Sequence, residues 1–328
     1  MSSSDARRKA RTPFTWLEKR VRFNRPALRW AALVAVAASV LIIVTGGIVR
    51  VTGSGLGCPT WPSCTGEGFA PTAEMGIHGV IEFGNRLLTG LLCVVVGWLI
   101  VVARLQRQPV PQVTRWAWAQ FWIILLNALV GGITVLARLS PYIVAAHFLA
   151  ATLLLAAATV AWHKAGQLDA PPTTDNPDAS VHRIGAVLLV STAVLLIAGT
   201  LVTGTGPHAG DSSDVARMPF DWTAVTFLHG IIAVLVGGTA VTLWIKVCTA
   251  ANPTMLRRIT LFLAVFLAQG LVGIVQVVTA LPEVAVVLHL LGSAFVWIGA
   301  IRVYFDTRSS HLSGSEQAMC HPVNGAVG

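Results

Sequence analysis

Residues 129–147 read LVGGITVLARLSPYIVAAH, and residues 271–289 read LVGIVQVVTALPEVAVVLH. The segments align without a gap at a shift of 142, and the same shift pairs Asn127 with Gln269, Thr134 with Gln276 and His147 with His289. Glycine-rich apolar runs match by chance, but polar residues recurring at one depth do not, so the chain carries an internal repeat. A second match, VTGSG (51–55) with VTGTG (202–206), has a shift of 151 and lays IHG (77–79) on LHG (228–230). Outward from these segments, apolar runs occupy 28–49, 77–103, 117–136, 142–162, 184–203, 223–245, 259–280 and 284–305. Each is long enough to cross a hydrocarbon core, which takes about 20 helical residues. None alternates as a membrane β-strand does. Each half holds an even number of runs, so both enter the membrane in the same direction, and the repeat is parallel about an axis along the membrane normal. The expected fold is an all-α integral membrane protein of eight transmembrane helices, arranged as two pseudo-twofold-related four-helix bundles.

Composition agrees. Of the 328 residues, 55% are hydrophobic and 11% charged, against about 25% charged in soluble domains. The net charge of +9 would suggest nucleic acid in a soluble protein. Here 19 of the 23 lysines and arginines lie before or at the start of the first run, in alternate loops or in the tail, and only Arg50, Arg86, Arg138 and Arg217 lie elsewhere. The positive-inside rule then puts both termini in the cytoplasm of a multi-pass plasma-membrane protein, and the nucleic-acid reading falls. The first run is followed by Arg50 rather than a small-residue cleavage site, so it reads as a transmembrane helix and not a signal peptide. The division expected is a basic N-terminal segment (1–27), an N-terminal bundle (28–163), a proline-containing cytoplasmic linker (164–182), a C-terminal bundle (183–305) and a polar, mobile tail (306–328).

Four of the nine histidines, His78, His147, His229 and His289, lie near the outer ends of the second, fourth, sixth and eighth runs. A lone intramembrane histidine is commonly a packing hydrogen-bonder. Two per half, repeated, fit better the two axial ligands of a haem iron within a four-helix bundle. Zinc would want four ligands, and no carboxylate or thiol cluster accompanies each pair; a proton relay is the other reading. His163, His182, His208, His311 and His321 fall in loops or tail and read as solvated, with His208 within reach of a haem edge on the outer side.

The second run, IHGVIEFGNRLLTG (77–90), departs from its counterpart by carrying Glu82, Asn85 and Arg86. His78, Glu82 and Arg86 are spaced by four and share a helix face. The Glu–Arg pair either neutralises itself so that the helix tolerates it, or supplies a carboxylate beside a haem pocket as base or cation-stabilising anion. The shift of 151 puts Ala233 opposite Glu82, so packing alone does not demand the charge. In the first outer loop Cys58 and Cys64 are six apart with two prolines between them, a spacing that suits a disulfide outside the membrane, structural or redox-active. Arg50, Arg138 and Arg217 are outward and either pair with haem propionates or simply line the surface.

The chain resembles the bacterial haem A synthase family. The resemblance is carried by GGIVRVTGSGLGCPTWPSC (46–64), IEFGNRLLTG (81–90), His147, His229, His289 and the two four-helix halves. It implies oxidation of a ring methyl of haem O to a formyl group, giving haem A for terminal oxidases. It implies haem b in the C-terminal pocket between His229 and His289, and haem O as substrate in the N-terminal pocket with His147 as a ligand and Glu82 as the catalytic carboxylate. Haem O synthase and terminal oxidase assembly factors are the partners it suggests, and no motif names an electron acceptor. The family commonly shows Glu-x-x-His-Arg on the second helix, where this chain has Glu82-Phe83-Gly84-Asn85-Arg86. Asn85 is a poor iron ligand, and His78, two turns earlier, is the alternative; the iron is bound by His78 and His147 or by His147 alone. The expected chemistry is two successive oxidations of the methyl, through an alcohol and a hydrated aldehyde, with Glu82 near the reacting carbon. The rival readings are a dihaem b-type quinol-oxidising protein, which leaves Glu82 unexplained, and a transporter, which needs no haem.

Overall fold

The computed structural model describes residues 20–66, 68–169, 179–211, 215–250 and 252–319. Among them lie eight helices long and apolar enough to cross a membrane. These are α1 (Arg25–Val51), α2 (Gly76–Arg104), α3 (Pro111–Leu136), α4 (Pro141–Gln167), α5 (Ala179–Thr205), α6 (Trp222–Thr249), α7 (Pro253–Val278) and α8 (Glu283–Met319). A short 3-10 turn, Ala73–Met75, precedes α2, and the described residues contain no strand beyond two isolated bridges. The chain is an all-α integral membrane protein.

Helix starts follow local chemistry. Proline at the first or second position opens α1, α3, α4 and α7, where its missing N–H costs nothing. Side chains of Asn24, Asp221 and Asn252 accept from the N–H groups of Ala27 (3.0 Å), Ala224 (2.7 Å) and Met255 (3.0 Å) and so cap α1, α6 and α7. These signals carry α3 and α7 six residues upstream of the apolar runs at 117 and 259. At the other extreme α8 continues past Asp306 to Met319, so much of the tail expected to be mobile is helical. Residues 1–19, 170–178 and 320–328, which hold most of the basic N-terminal segment, half of the linker and Cys320, lie outside the described residues.

In the first half α1 packs on α2, α2 on α3, α3 on α4 and α4 back on α1; α5 to α8 repeat that ring, and the halves meet through α1, α4, α5 and α8. Leu28, Val96, Leu99 and Leu154 centre the first core, and Leu188, Leu243, Ile259 and Phe262 the second. Between them Val36, Val40 and Ile43 of α1 and Ala151, Leu155 and Ala158 of α4 meet Ala294 of α8. The alanines let the backbones approach closely, as packing between membrane helices requires. Trp297 adds a polar tie, its Nε1 donating to the Thr152 carbonyl at 3.0 Å.

The repeat reaches the backbone. The α3–α4 turn holds Arg138 and Leu139 at φ of 51° and 57°, and the α7–α8 turn holds Ala280 and Leu281 at 58° and 60°. The pairs are 142 residues apart, and in each the second residue donates back to a buried polar position, Leu139 to the Thr134 carbonyl (2.9 Å) and Leu281 to that of Gln276 (2.8 Å). Four non-glycine residues in the left-handed region carry strain that these six-residue closures hold in place.

At the helix ends away from these turns, two histidines expected to be solvated are not. His163 of α4 is buried against Phe305, with Nε2 3.9 Å from Asp306, whose carboxylate takes Arg258 at 2.7 Å. His182 of α5 lies on Tyr304. Both lie beyond the apolar runs, which makes them read as loop residues; α4 and α5 extend past those runs and carry them into the bundle.

Candidate functional site

The site is built at the bundle end that carries the loops 52–75 and 206–221 and the two matched turns. His229 of α6 and His289 of α8 face each other with ring centroids 6.5 Å apart and planes at 61°. Two metal–imidazole bonds of about 2 Å each, plus the ring half-widths, take up about 6 Å, so one metal ion fits between them. His147 of α4 has the place in the first half that His289 has in the second, each being the seventh residue of its helix.

Each ring packs on a position without a side chain. A Cβ on Gly131 would lie 2.9 Å from Cε1 of His147, one on Gly273 3.3 Å from Cε1 of His289, and one on Gly199 3.5 Å from Cε1 of His229. The Nδ1 atoms of all three are buried and make no hydrogen bond of good geometry. The rings of His147 and His229 nonetheless lie within electrostatic reach of the backbone carbonyls of Asn127 and Leu195. A metal-bound histidine characteristically turns its second nitrogen to a carbonyl, which leaves Nε2 for the metal. Gln269, the counterpart of Asn127, donates from its side chain to the His289 carbonyl at 2.7 Å. His229 and His289 therefore fit an iron between them in donor chemistry, spacing and clearance, and His147 offers one such donor in the first half.

Of the two candidates on α2, His78 lies in the first turn, exposed, with Nδ1 3.0 Å from the Ser54 hydroxyl. Asn85 lies seven residues deeper, about 10 Å along the axis, with Oδ1 2.8 Å from the Thr45 hydroxyl of α1.

Glu82 is 5% exposed and stands beneath the cysteine loop. Its Oε2 accepts from the Cys58 N–H at 2.6 Å and its Oε1 from Arg86, the four-residue pairing expected from the sequence. Arg86 also donates to the carbonyls of Thr60 (3.0 Å), Ser63 (3.1 Å) and Cys58 (3.0 Å). Cys58 and Cys64 form the expected disulfide, both fully buried. Gly57 lets the loop lie against α2, since a Cβ there would run into the His78 carbonyl. Opening the disulfide with Cys64→Ser should leave these Arg86 bonds and accelerate hydrogen exchange across residues 58–66 roughly 30-fold, the equivalent of about 2 kcal/mol for so short a loop. Cys93 is free and half-buried, and Cys248 free and exposed.

The second loop is tied to the first half and to its own. Gly55 donates to the Gly210 carbonyl at 2.7 Å, and Arg50 to that of Thr203 at 2.7 Å. His208 is spent on the Leu281 carbonyl at 3.0 Å, which secures the loop to the α7–α8 turn. Arg217, by contrast, keeps a buried Nη2 with no hydrogen-bond partner among the described residues and lies near enough to Arg50 to act on it electrostatically; burial lowers the Arg217 pKa. Two guanidiniums this close, one unsatisfied, suit an anionic group. Thr45, Ser54 and the three ring-facing glycines were not picked out from the sequence. Gly131 and Gly273 do share the 142-residue shift; Thr45 and Ser54 reach the site from other segments and leave no local signal.

Comparison with known proteins follows the same lines. The proteins named Heme A synthase of Staphylococcus saprophyticus, Bacillus pumilus and Lysinibacillus sphaericus are 32%, 33% and 32% identical to this chain over 127, 124 and 122 residues. Those matches cover 38%, 37% and 37% of this chain and 41%, 39% and 39% of the relatives, so the chain aligns with about two fifths of their length. The family model described as COX15-CtaA, cytochrome oxidase assembly protein, matches residues 29–301, which takes in all eight helices. The chain belongs to the COX15-CtaA family of cytochrome oxidase assembly proteins.

Proposed function

We propose that this protein is a haem A synthase, oxidising a ring methyl of haem O to the formyl group of haem A for terminal oxidases. The observation that carries the reading is the asymmetry between two similar rings of helices. Both present a histidine from their fourth helix over a glycine, while among the described residues a buried carboxylate, Glu82, lies on a helix of the first ring only. Neither Ala233, at a shift of 151, nor Thr226, at a shift of 144, offers a carboxylate in the second half. The halves are read as pseudo-twofold-related bundles, residues 28–163 for substrate and 183–305 for a permanent cofactor. The disulfide end faces outward and both termini face the cytoplasm.

His229 and His289 hold haem b, whose iron supplies one-electron redox chemistry when bound. His147 orients haem O in the first half. Glu82, fixed between the Cys58 N–H and Arg86, presents a preorganised negative charge where positive charge develops at the ring methyl. Because both of its oxygens already accept hydrogen bonds, the arrangement suits electrostatic stabilisation better than proton acceptance. The unsatisfied Arg217 and its neighbour Arg50 take porphyrin carboxylates. Arg217→Gln should then weaken haem retention in detergent about 10-fold, as expected for one charge-assisted contact; retention unchanged across a wash series would remove Arg217 from the site.

Purification from membranes, a reduced-minus-oxidised spectrum and chromatography of the extracted haems test the reading. Haem b together with haem O or haem A supports it. Haem b alone would indicate a dihaem electron-transfer protein, and absence of haem a transporter.

A further inference from the structure

The halves differ also on the first and second helices of each ring. Helices α1 and α5 are each 27 residues long. Counted from Arg25 and Ala179, Leu41 and Leu195 are both seventeenth, and Thr45 and Gly199 both twenty-first. In the second half the His229 ring lies by the Leu195 carbonyl and packs its Cε1 on Gly199. In the first half the Thr45 hydroxyl lies 3.0 Å from the Leu41 carbonyl and 2.8 Å from Asn85 Oδ1. Asn85 and Thr45 thus stand together where His229 and Gly199 stand in the other half. The partner position is unchanged, His147 over Gly131 matching His289 over Gly273. The amide atoms of asparagine lie as far from the backbone as Nδ1 and Cδ2 of an imidazole, so nothing on Asn85 reaches the place of Nε2. His78, the other candidate, is engaged with Ser54 two turns away.

We propose that the first half holds a porphyrin iron through His147 alone, and that Asn85 and Thr45 leave its opposite face open to a diatomic ligand of the dioxygen and carbon monoxide class. Thr45 takes the Asn85 oxygen, which leaves the amide N–H groups to donate to such a ligand. The second half, with two imidazoles, has no open position. The inference rests on the haem reading above and adds a functional difference between the two irons.

The test uses the purified protein loaded with haem O. Electron paramagnetic resonance of the ferric form should show one low-spin and one high-spin haem, and the reduced form should bind carbon monoxide at the high-spin one only. The double variant Thr45→Gly, Asn85→His copies the second half and gives the new imidazole the clearance that Gly199 provides. It should convert the high-spin signal to low-spin and abolish carbon monoxide binding, while His78→Ala changes neither. Two low-spin haems inert to carbon monoxide in the unsubstituted protein would overturn the inference and leave the haem reading intact. So would conversion of one of them to high-spin by His78→Ala, which would make His78 the ligand. Failure of the chain to take up haem in either half would overturn both.

Discussion

Glu82→Gln is expected to keep haem b bound, keep haem O uptake within a few-fold, and lower haem A formation by roughly 100-fold or more. Glutamine has nearly the same volume and can still accept from the Cys58 N–H at the end of a 2.6 Å contact. Arg86 keeps its three carbonyl acceptors in the loop, so the loop stays seated on α2. What the substitution removes is the negative charge, and removing one preorganised electrostatic group from an active site costs about 10²–10³ in rate. Retained haem with lost product separates this role from the alternative, in which Glu82 and Arg86 only clamp the disulfide loop. A clamp alone would show as faster exchange in residues 58–66 with haem A formation unaffected, and that result would end the catalytic assignment.

His289→Ala is expected to lose haem b, with retention through purification falling more than about 100-fold. Removing an outer partner of a metal ligand already costs 10–100-fold, so loss of the ligand itself costs more. His229 would be left without the imidazole that faces it at 6.5 Å between ring centroids. His147→Ala should have the opposite profile, with haem b retained and haem O no longer held. The contrast assigns the pockets. A His289→Ala protein that kept haem b, or a His147→Ala protein that lost it, would exchange or merge them.

Much of this architecture was legible because membrane helices announce themselves in apolar length, and because proline, asparagine and aspartate mark where they begin. His147 and His289 were legible as a pair because α3, its turn and α4 repeat at one shift, down to the left-handed residues 138–139 and 280–281. The α2 site was not. VTG closes the first half's opening helix at Val51, yet the same letters lie inside α5, which runs on to Thr205. An alignment anchored there therefore slips by three residues on α1 and α5, and by seven on α2 and α6 relative to the register that pairs Asn85 with His229. Seven residues separate His78 from Asn85, and seven is two helical turns, so the apolar pattern cannot distinguish them. Only contacts between helices, Thr45 with Asn85 and Gly199 with His229, favour one register. The bond from Glu82 to Cys58 was hidden for a similar reason, since the loop folds back over 24 residues to reach it.

The most direct measurement places this chain in cells that make haem O but no haem A, and follows the extracted haems by chromatography and mass. The account predicts haem A in cells carrying the unsubstituted chain, and haem O with almost no haem A in cells carrying Glu82→Gln at equal protein level. Haem O unchanged with the unsubstituted, haem b-loaded chain would contradict it.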